Sequence, residues 1–362
     1  MMNPAEPFND LPPLPPIENL ETAPILKKAV SANRELARLS GYCSRLPNET
    51  ILLDTIVLKE ARASSEVENI ITTNDDLYRA LAIGETHLDP ATKEVLKCRA
   101  ALQRGYSLVK NNGLLTTRTM VEIQQELEQN NAGIRKLPGT ALNNDRTGEV
   151  IYTRPDNEST ILDLLDNLEE YINTDTGEDP LVKMAVMHYQ FESIHPFYDG
   201  NGRTGRILNV LYLINKGLLN SPILYLSRHI IRNKSSYYEL HQLVRTKKNW
   251  DEWIMFILDA VEQTAMQTLK IIEDIRALMD KTIGRARERL PKTTYSKELI
   301  ELLFVQPYTK IDHLVRNNVA ERRTASKYLK QLEDIGVLES FRSWKQIIYI
   351  NRELMELLRH AD

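Results

Sequence analysis

Residues 195 to 206 read His195-Pro196-Phe197-Tyr198-Asp199-Gly200-Asn201-Gly202-Arg203-Thr204-Gly205-Arg206. A base, a carboxylate, an amide, three glycines and two arginines in so short a stretch are the parts needed to handle a polyphosphate. Glycines let backbone N–H groups come close to phosphate oxygens, and a helix that starts just after them turns its positive end to the same anion. If Arg203 opens that helix, Arg206 follows three residues later on the same face. A phosphate-bound magnesium ion needs only one or two carboxylates from a protein, and Asp199 can supply one. His195, with a pKa ordinarily near neutral pH, suits a general base.

These residues need two helices to hold them. The apolar pattern Ala185 to Ile194 runs into the loop from a helix that begins near Pro180, and Ile207 to Lys216 leaves it in a second helix closed by Gly217. His188 lies on the first, with Glu192 one turn away as its only nearby co-ligand, and reads as a core histidine. Further upstream the pattern is helical from Thr22 to about Leu108. Asn48 is a candidate cap for a helix carrying Leu52 to Ile70, on which Ser64 and Glu68 fall four apart on one face. Thr73 caps the next helix, with Asp76 three residues on.

Residues 140 to 153 break the helical rhythm. Thr140-Ala141-Leu142-Asn143-Asn144 and Glu149-Val150-Ile151-Tyr152-Thr153 flank Asp145-Arg146-Thr147-Gly148, a hairpin signature bounded by Pro138-Gly139 and Arg154-Pro155. An isolated hairpin is marginal in water, so this one needs a body to pack on or a strand along its edge.

The chain has 362 residues, 42% hydrophobic and 27% charged, with a net charge of -4. That is the composition of a water-soluble protein, and no apolar run has membrane-spanning length, so the expectation is a cytoplasmic protein without membrane contact. Cys43 and Cys98 lack metal-site spacing and read as free thiols. The charge and the pI near 6.1 exclude binding of nucleic acid over the whole surface.

The domain reading is an extended Pro-rich arm over 1–22, a helical region over 23–108, a core over 109–265, a helical connector over 266–291 and a separate unit over 292–362. Trp250 to about Arg289 forms one long helix that leaves the core. The last unit reads as three helices and a hairpin, the winged helix-turn-helix plan, with Arg322, Arg323, Lys327 and Lys330 on its third helix. Its twelve Lys and Arg against ten Asp and Glu leave it only slightly basic, so DNA and a second protein both stand as partners. The fold class is mostly α: a helical bundle with a β-hairpin, plus the winged-helix unit.

The string His-Pro-Phe-x-Asp-Gly-Asn-Gly-Arg-x-x-Arg resembles the signature of Fic-domain protein adenylyltransferases. The hairpin resembles that family's target-positioning flap, Ser64-x-x-x-Glu68-Asn69 its N-terminal inhibitory motif, and the tail the winged-helix extension of some bacterial members. The resemblance implies transfer of AMP from ATP, with Mg2+, to a Ser, Thr or Tyr of a target protein, self-modification included. It makes His195 the base and Asp199 the metal ligand. Gly200, Asn201, Gly202, Arg203, Gly205 and Arg206 become the phosphate site, and Tyr238 the adenine-side aromatic. Thr140, Ala141, Leu142, Asn143 and Tyr152 position the target, and Phe197 anchors the loop. Glu68, supported by Ser64 and Asn69, pairs with Arg206 and inhibits. Removal of AMP on the same fold, another nucleotide, and a DNA-binding regulator are the competing readings, and a homodimer is compatible with all of them.

Overall fold

The computed structural model describes residues 3–45, 49–83, 88–137, 141–143, 148, 150–343 and 346–360. The expected Asn48 cap, Thr140, Asn144 and the turn at 145–147 lie outside these residues. In chain order the first part comprises α1 (Ala23–Cys43), α2 (Glu49–Val67), α3 (Asn74–Ile83), α4 (Pro90–Asn112) and α5 (Thr117–Glu128). A hairpin of β1 (Ala141–Asn143) and β2 (Val150–Thr153) follows, then α6 (Glu158–Asn173), α7 (Pro180–Ile194), α8 (Asn201–Asn215), α9 (Ser227–Arg232), α10 (Lys234–Lys247) and α11 (Trp250–Arg289). The tail holds α12 (Lys297–Leu302), β3 (Tyr308–Thr309), α13 (Ile311–Arg316), α14 (Arg322–Asp334), β4 (Glu339–Ser343), β5 (Gln346–Ile350) and α15 (Arg352–His360).

The helices start and stop where local chemistry says they should. Asp179 accepts from the Leu181 and Val182 amides ahead of Pro180, which opens α7. Thr73 Oγ1 accepts from the Asp76 amide at 3.1 Å, as its spacing requires. α7 is buried on every face, and among its apolar residues Leu181, Val182, Met184, Ala185 and Val186 are fully enclosed, each larger side chain contributing roughly 1.5–3 kcal/mol. It is therefore the central helix, wrapped by α6, α8 and α11, and Trp253 of α11 donates to Ala185 O at 2.8 Å. α8 is likewise buried along most of its length. The loop 195–200 thus joins two buried helices, which fix both of its ends.

α11 does not simply leave the core. It packs along α1, with Lys28 bridging Asp259 at 2.6 Å and Glu262 at 2.5 Å, and it buries residues as far as Ala286. Further on, Arg285 pairs with Glu353 of α15 at 2.8 Å, so the expected connector is a spine shared with the tail. The tail sheet has the order β3-β5-β4, all antiparallel, and the Ser340 amide of β4 donates to Glu333 of α14 at 3.0 Å. The winged-helix reading did not contain β3 or α15; a two-residue strand carries no pattern to read. The tail also reaches back: Lys59 of α2 donates to Leu358 O at 2.8 Å, and Tyr308 donates to Asp75 at 2.5 Å. On α14, Arg322 pairs with Asp312 at 2.6 Å and Lys330 with Glu333 at 2.9 Å, while Arg323 and Lys327 are exposed.

Candidate active site

The loop is built from two helix ends. α7 finishes at His195, whose left-handed φ of 52° lets its N–H reach Phe191 O at 2.9 Å while the chain turns. Gly200, with φ 78°, then starts α8, a conformation that costs a residue with Cβ roughly 1–2 kcal/mol. α8 opens at Asn201, two residues before the expected start. The amides of Asn201, Gly202 and Arg203 precede its first internal bond, from Thr204 to Gly200 O at 2.9 Å, and form its electropositive end. Phe197 is buried beside Phe191, the anchoring role expected of it.

Beside this end lies a cleft of ≈ 290 Å³ lined by Glu68, Ala141, Leu142, Tyr152, Arg154, Glu192, His195, Gly202, Arg206, Tyr237, Tyr238, His241 and Arg245. It brings together helix α2, the hairpin, the loop and α10, which are distant in sequence. His195 Nδ1 is buried, and burial together with Arg154 and Arg135 holds the imidazole well below its ordinary pKa, against an opposing pull from the Glu192 backbone. The ring is neutral at neutral pH. Arg135 fixes its backbone, donating from Nε to His195 O at 2.7 Å.

Arg206 is held by three hydrogen bonds. Nε donates to Ser64 Oγ at 2.9 Å, and Nη2 donates to Ser64 O at 2.8 Å and to Glu68 Oε1 at 2.7 Å. Burial pulls the guanidinium pKa down, but Glu68 and Glu192 outweigh it and leave it raised. Burial would raise the Glu68 carboxyl; Arg206 overrides this and holds it below its ordinary value. Ser64 therefore supports Arg206 directly, and no bond joins it to Glu68. Helical spacing could not reveal this, because both side chains turn toward a third element. Asn69 also departs from expectation: it takes φ 62°, and the Asn69 N–H to Glu66 O and Ile70 N–H to Ser65 O bonds close α2. It is the residue that ends the helix, leaving Glu68 in the terminating turn, and its side chain accepts from Lys234 at 3.2 Å.

Three other loop residues are placed differently from the sequence reading. Asn201 accepts from Phe197 N and donates to Phe197 O, each at 2.8 Å, so its amide staples the loop and only its backbone faces the helix end. Arg203 is buried between Glu94 at 3.1 Å and Glu128 at 2.8 Å and does not line the cleft. Sharing a face with Arg206 in sequence did not send it the same way, because α4 and α5 offer carboxylates on its side. Gly205 gives close passage to Phe191 and Glu192, a packing role. Gly202 instead lies directly under the Glu68 carboxylate, where a Cβ would collide with Oε1.

Asp199 is exposed and accepts from the Gly200 amide at 2.7 Å. Among the described residues no cluster of three or more His, Cys, Asp or Glu could hold a metal alone. A lone exposed carboxylate beside a helix N-terminus fits an ion that arrives with phosphates. Tyr238 is partly buried, edge-on to Tyr237 at 5.2 Å. On the hairpin, Leu142 pairs with Tyr152 and Ala141 with Thr153. Tyr152 is buried, donates to Ser193 O at 3.1 Å, and carries Arg245 stacked 3.4 Å over its ring.

Arg154, Tyr237, His241 and Arg245 line the cleft though none of them carries a site role in the sequence reading, and Glu192, considered there only as a partner of His188, joins them. Tyr237, His241 and Arg245 recur every four residues on α10, a stripe that helical spacing could have shown. Glu192 turns to the cleft, and burial pushes its carboxyl up to about 7 against Arg206. His188 instead bonds Tyr237 at 2.9 Å and stacks on Trp253, and burial lowers it to about 3, the core histidine its sequence context implied.

Residues 26–107 match the Fic/DOC family N-terminal model, 114–213 the Fic/DOC family model, and 278–354 the model of the SoFic-like protein adenylyltransferase C-terminal domain. Protein adenylyltransferase Fic of Drosophila mojavensis is 28% identical over 145 residues, 38% of this chain and 28% of that protein. The Aedes aegypti protein of the same name is 31% identical over 103 residues, 28% of this chain and 19% of that protein. The chain thus spans less than a third of the length of these relatives. A Fic family protein from Desulfovibrio desulfuricans superposes with a TM-score of 0.61 at 18% identity, over 93% of this chain and 98% of that one. Fic-1 from C. elegans gives 0.53 at 19% identity over 69% and 75%. Both share the fold.

Proposed function

We propose that this chain, which belongs to the Fic/DOC family, is a protein adenylyltransferase that moves AMP from ATP to a hydroxyl side chain of a target protein and is held inactive by Glu68. The observation that carries the reading is the cleft itself: a neutral histidine, a helix N-terminus and a buried arginine converge, and an upstream carboxylate occupies the arginine.

The residues divide the work as follows. His195 takes the hydroxyl proton on Nε2, the ring nitrogen left to the cleft once Nδ1 is buried. The oxygen forms a bond to the α-phosphorus, and the bond from that phosphorus to the bridging oxygen breaks, its electron pair leaving with pyrophosphate. The amides at the start of α8 steady the charge gathering on the phosphates. Arg206, freed from Glu68, holds the γ-phosphate, and Tyr238 flanks the base. Asp199 would hold Mg2+, which when bound neutralises phosphate charge. Ala141 and Leu142 line the cleft from the hairpin and support pairing of an extended target segment. A DNA-binding role has less behind it, since Asp312 and Glu333 already engage two of the four basic residues on α14.

The test is AMP transfer from α-labelled ATP by the purified chain and by Glu68→Gly, alone and in host lysate. Strong labelling by the variant and weak labelling by the wild type is the expected result. No labelling in either refutes the reading. Release of AMP from a labelled protein by the wild type, lost in Glu68→Gly, would instead assign Glu68 to the reverse reaction.

A further inference from the structure

The Pro-rich arm has no part in the chemistry above, yet it is docked on the hairpin. Pro7 bridges Thr153 in the parallel sense, and the Phe8 N–H donates to Thr153 O at 3.1 Å. Thr153 Oγ1 donates to Pro4 O at 2.8 Å. Asn9 and Asp156 exchange two bonds: Asn9 Nδ2 to Asp156 Oδ1 at 3.0 Å, and Asp156 N to Asn9 Oδ1 at 3.1 Å. Farther along, Gln190 donates to Pro12 O at 2.8 Å, and Leu11 and Leu14 are buried. The Phe8 ring meets Tyr152 edge-on at 6.3 Å, and Arg245 is stacked on Tyr152. The arm therefore braces a residue that lines the cleft.

Two features of the sequence give this docking a purpose. Pro7, which makes the bridge to Thr153, has no N–H to donate, so the arm gives a growing sheet no donor at that position. The chain from Met1 to Glu21 contains no Ser, Thr or Tyr; the first hydroxyl is Thr22. A segment paired with the hairpin of a hydroxyl-modifying enzyme thus has nothing to modify. β1 takes one edge of β2, and the other is met by the arm at Thr153 and by Gln242 of α10, which donates to Ile151 O at 3.4 Å. Among the described residues, that leaves the outer edge of β1 to receive a further strand.

We propose that residues 4–10 are a built-in, hydroxyl-free arm that caps the β2 edge of the hairpin at Thr153 and directs an extended Ser-, Thr- or Tyr-bearing segment of a target protein to β1 at Ala141–Asn143. The inference rests on the transfer reading for its purpose, but its structural half is separately measurable. In the Glu68→Gly background, deletion of residues 3–10 speeds hydrogen exchange at the Asp156 amide and across 150–153 at least tenfold, and a synthetic peptide of residues 3–17 restores protection. Unchanged exchange overturns the proposal. Pro7→Ser, in the same background, places a hydroxyl on the β2 side; peptide mapping after incubation with α-labelled ATP shows the introduced hydroxyl unlabelled while the rest of the labelling persists. AMP on that introduced hydroxyl overturns the assignment of the productive edge to β1. If Glu68→Gly itself transfers no AMP, the transfer reading and the assignment of β1 to a target both fall, and the exchange measurement alone decides whether the arm caps the β2 edge.

Discussion

Removing the Glu68 carboxylate is the sharpest perturbation the structure offers. Glu68 gives Arg206 one charged hydrogen bond at 2.7 Å, while Ser64 Oγ and Ser64 O keep the guanidinium partnered when that bond is gone. Glu68→Gly therefore leaves Arg206 in place and the fold intact. A charged hydrogen bond contributes about 1.5–3 kcal/mol when shielded from water. The Glu68 side chain is 37% exposed, so screening brings this to about 1–2 kcal/mol, roughly five- to thirtyfold in the population with Arg206 free. The rate of AMP transfer at saturating ATP rises by that factor in Glu68→Gly. Glu68→Gln keeps the shape and one acceptor but loses the charge, and falls between the two. Because Arg206 holds the Glu68 pKa below its ordinary value, the pair is complete above the ordinary carboxylate range and is lost only as pH falls through the lowered value. Wild type consequently stays inhibited from about pH 6 to 8. Equal rates for wild type and Glu68→Gly, a glutamine variant faster than the glycine variant, or activation of wild type at about pH 6 would each break the argument.

His195→Ala abolishes transfer while leaving ATP affinity, read by equilibrium binding, close to that of the parent. With the imidazole pKa held well below 6.5, the rate of Glu68→Gly shows no loss from His195 protonation between about pH 8 and 6.5. Gly200→Ala lowers the melting temperature by several degrees, since the positive φ is strained and a Cβ would lie 2.9 Å from Leu127 Cδ2. Glu60 is buried with Ser227 donating to it from N at 2.9 Å, and burial raises its pKa to about 7. A raised carboxyl stabilises fully below its unfolded value and loses that contribution as pH climbs through the folded one. Glu60→Gln accordingly gains in melting temperature relative to wild type as pH rises from about 5 to 8; a difference independent of pH would contradict the assignment.

Local chemistry determined much of this protein from sequence alone. Apolar periodicity, with Pro180 to open α7 and Gly217 just past α8, placed α7, α8 and α11, because caps and burial act within a few residues. The string from His195 to Arg206 pointed to the phosphate site proposed above for the same reason: its backbone geometry is set by its own glycines and by the helix it opens. The motif carrying Ser64, Glu68 and Asn69 was legible as a unit, but the roles inside it were not. Only tertiary structure decided that Ser64 bonds Arg206, that Asn69 ends the helix, and that Asn201 clamps Phe197. Arg203 and Arg206 show the reason most plainly. Three residues apart on one helix, they diverge because Glu94 and Glu128 approach on one side and Glu68 on the other, and which carboxylate approaches a buried cation depends on the packing of α2, α4 and α5. The arm's proline content predicted an extended segment. That it instead turns at residues 4–5 and 9–10 and meets β2 at Thr153 was decided by tertiary contacts, the Thr153 carbonyl among them, which no local pattern announces.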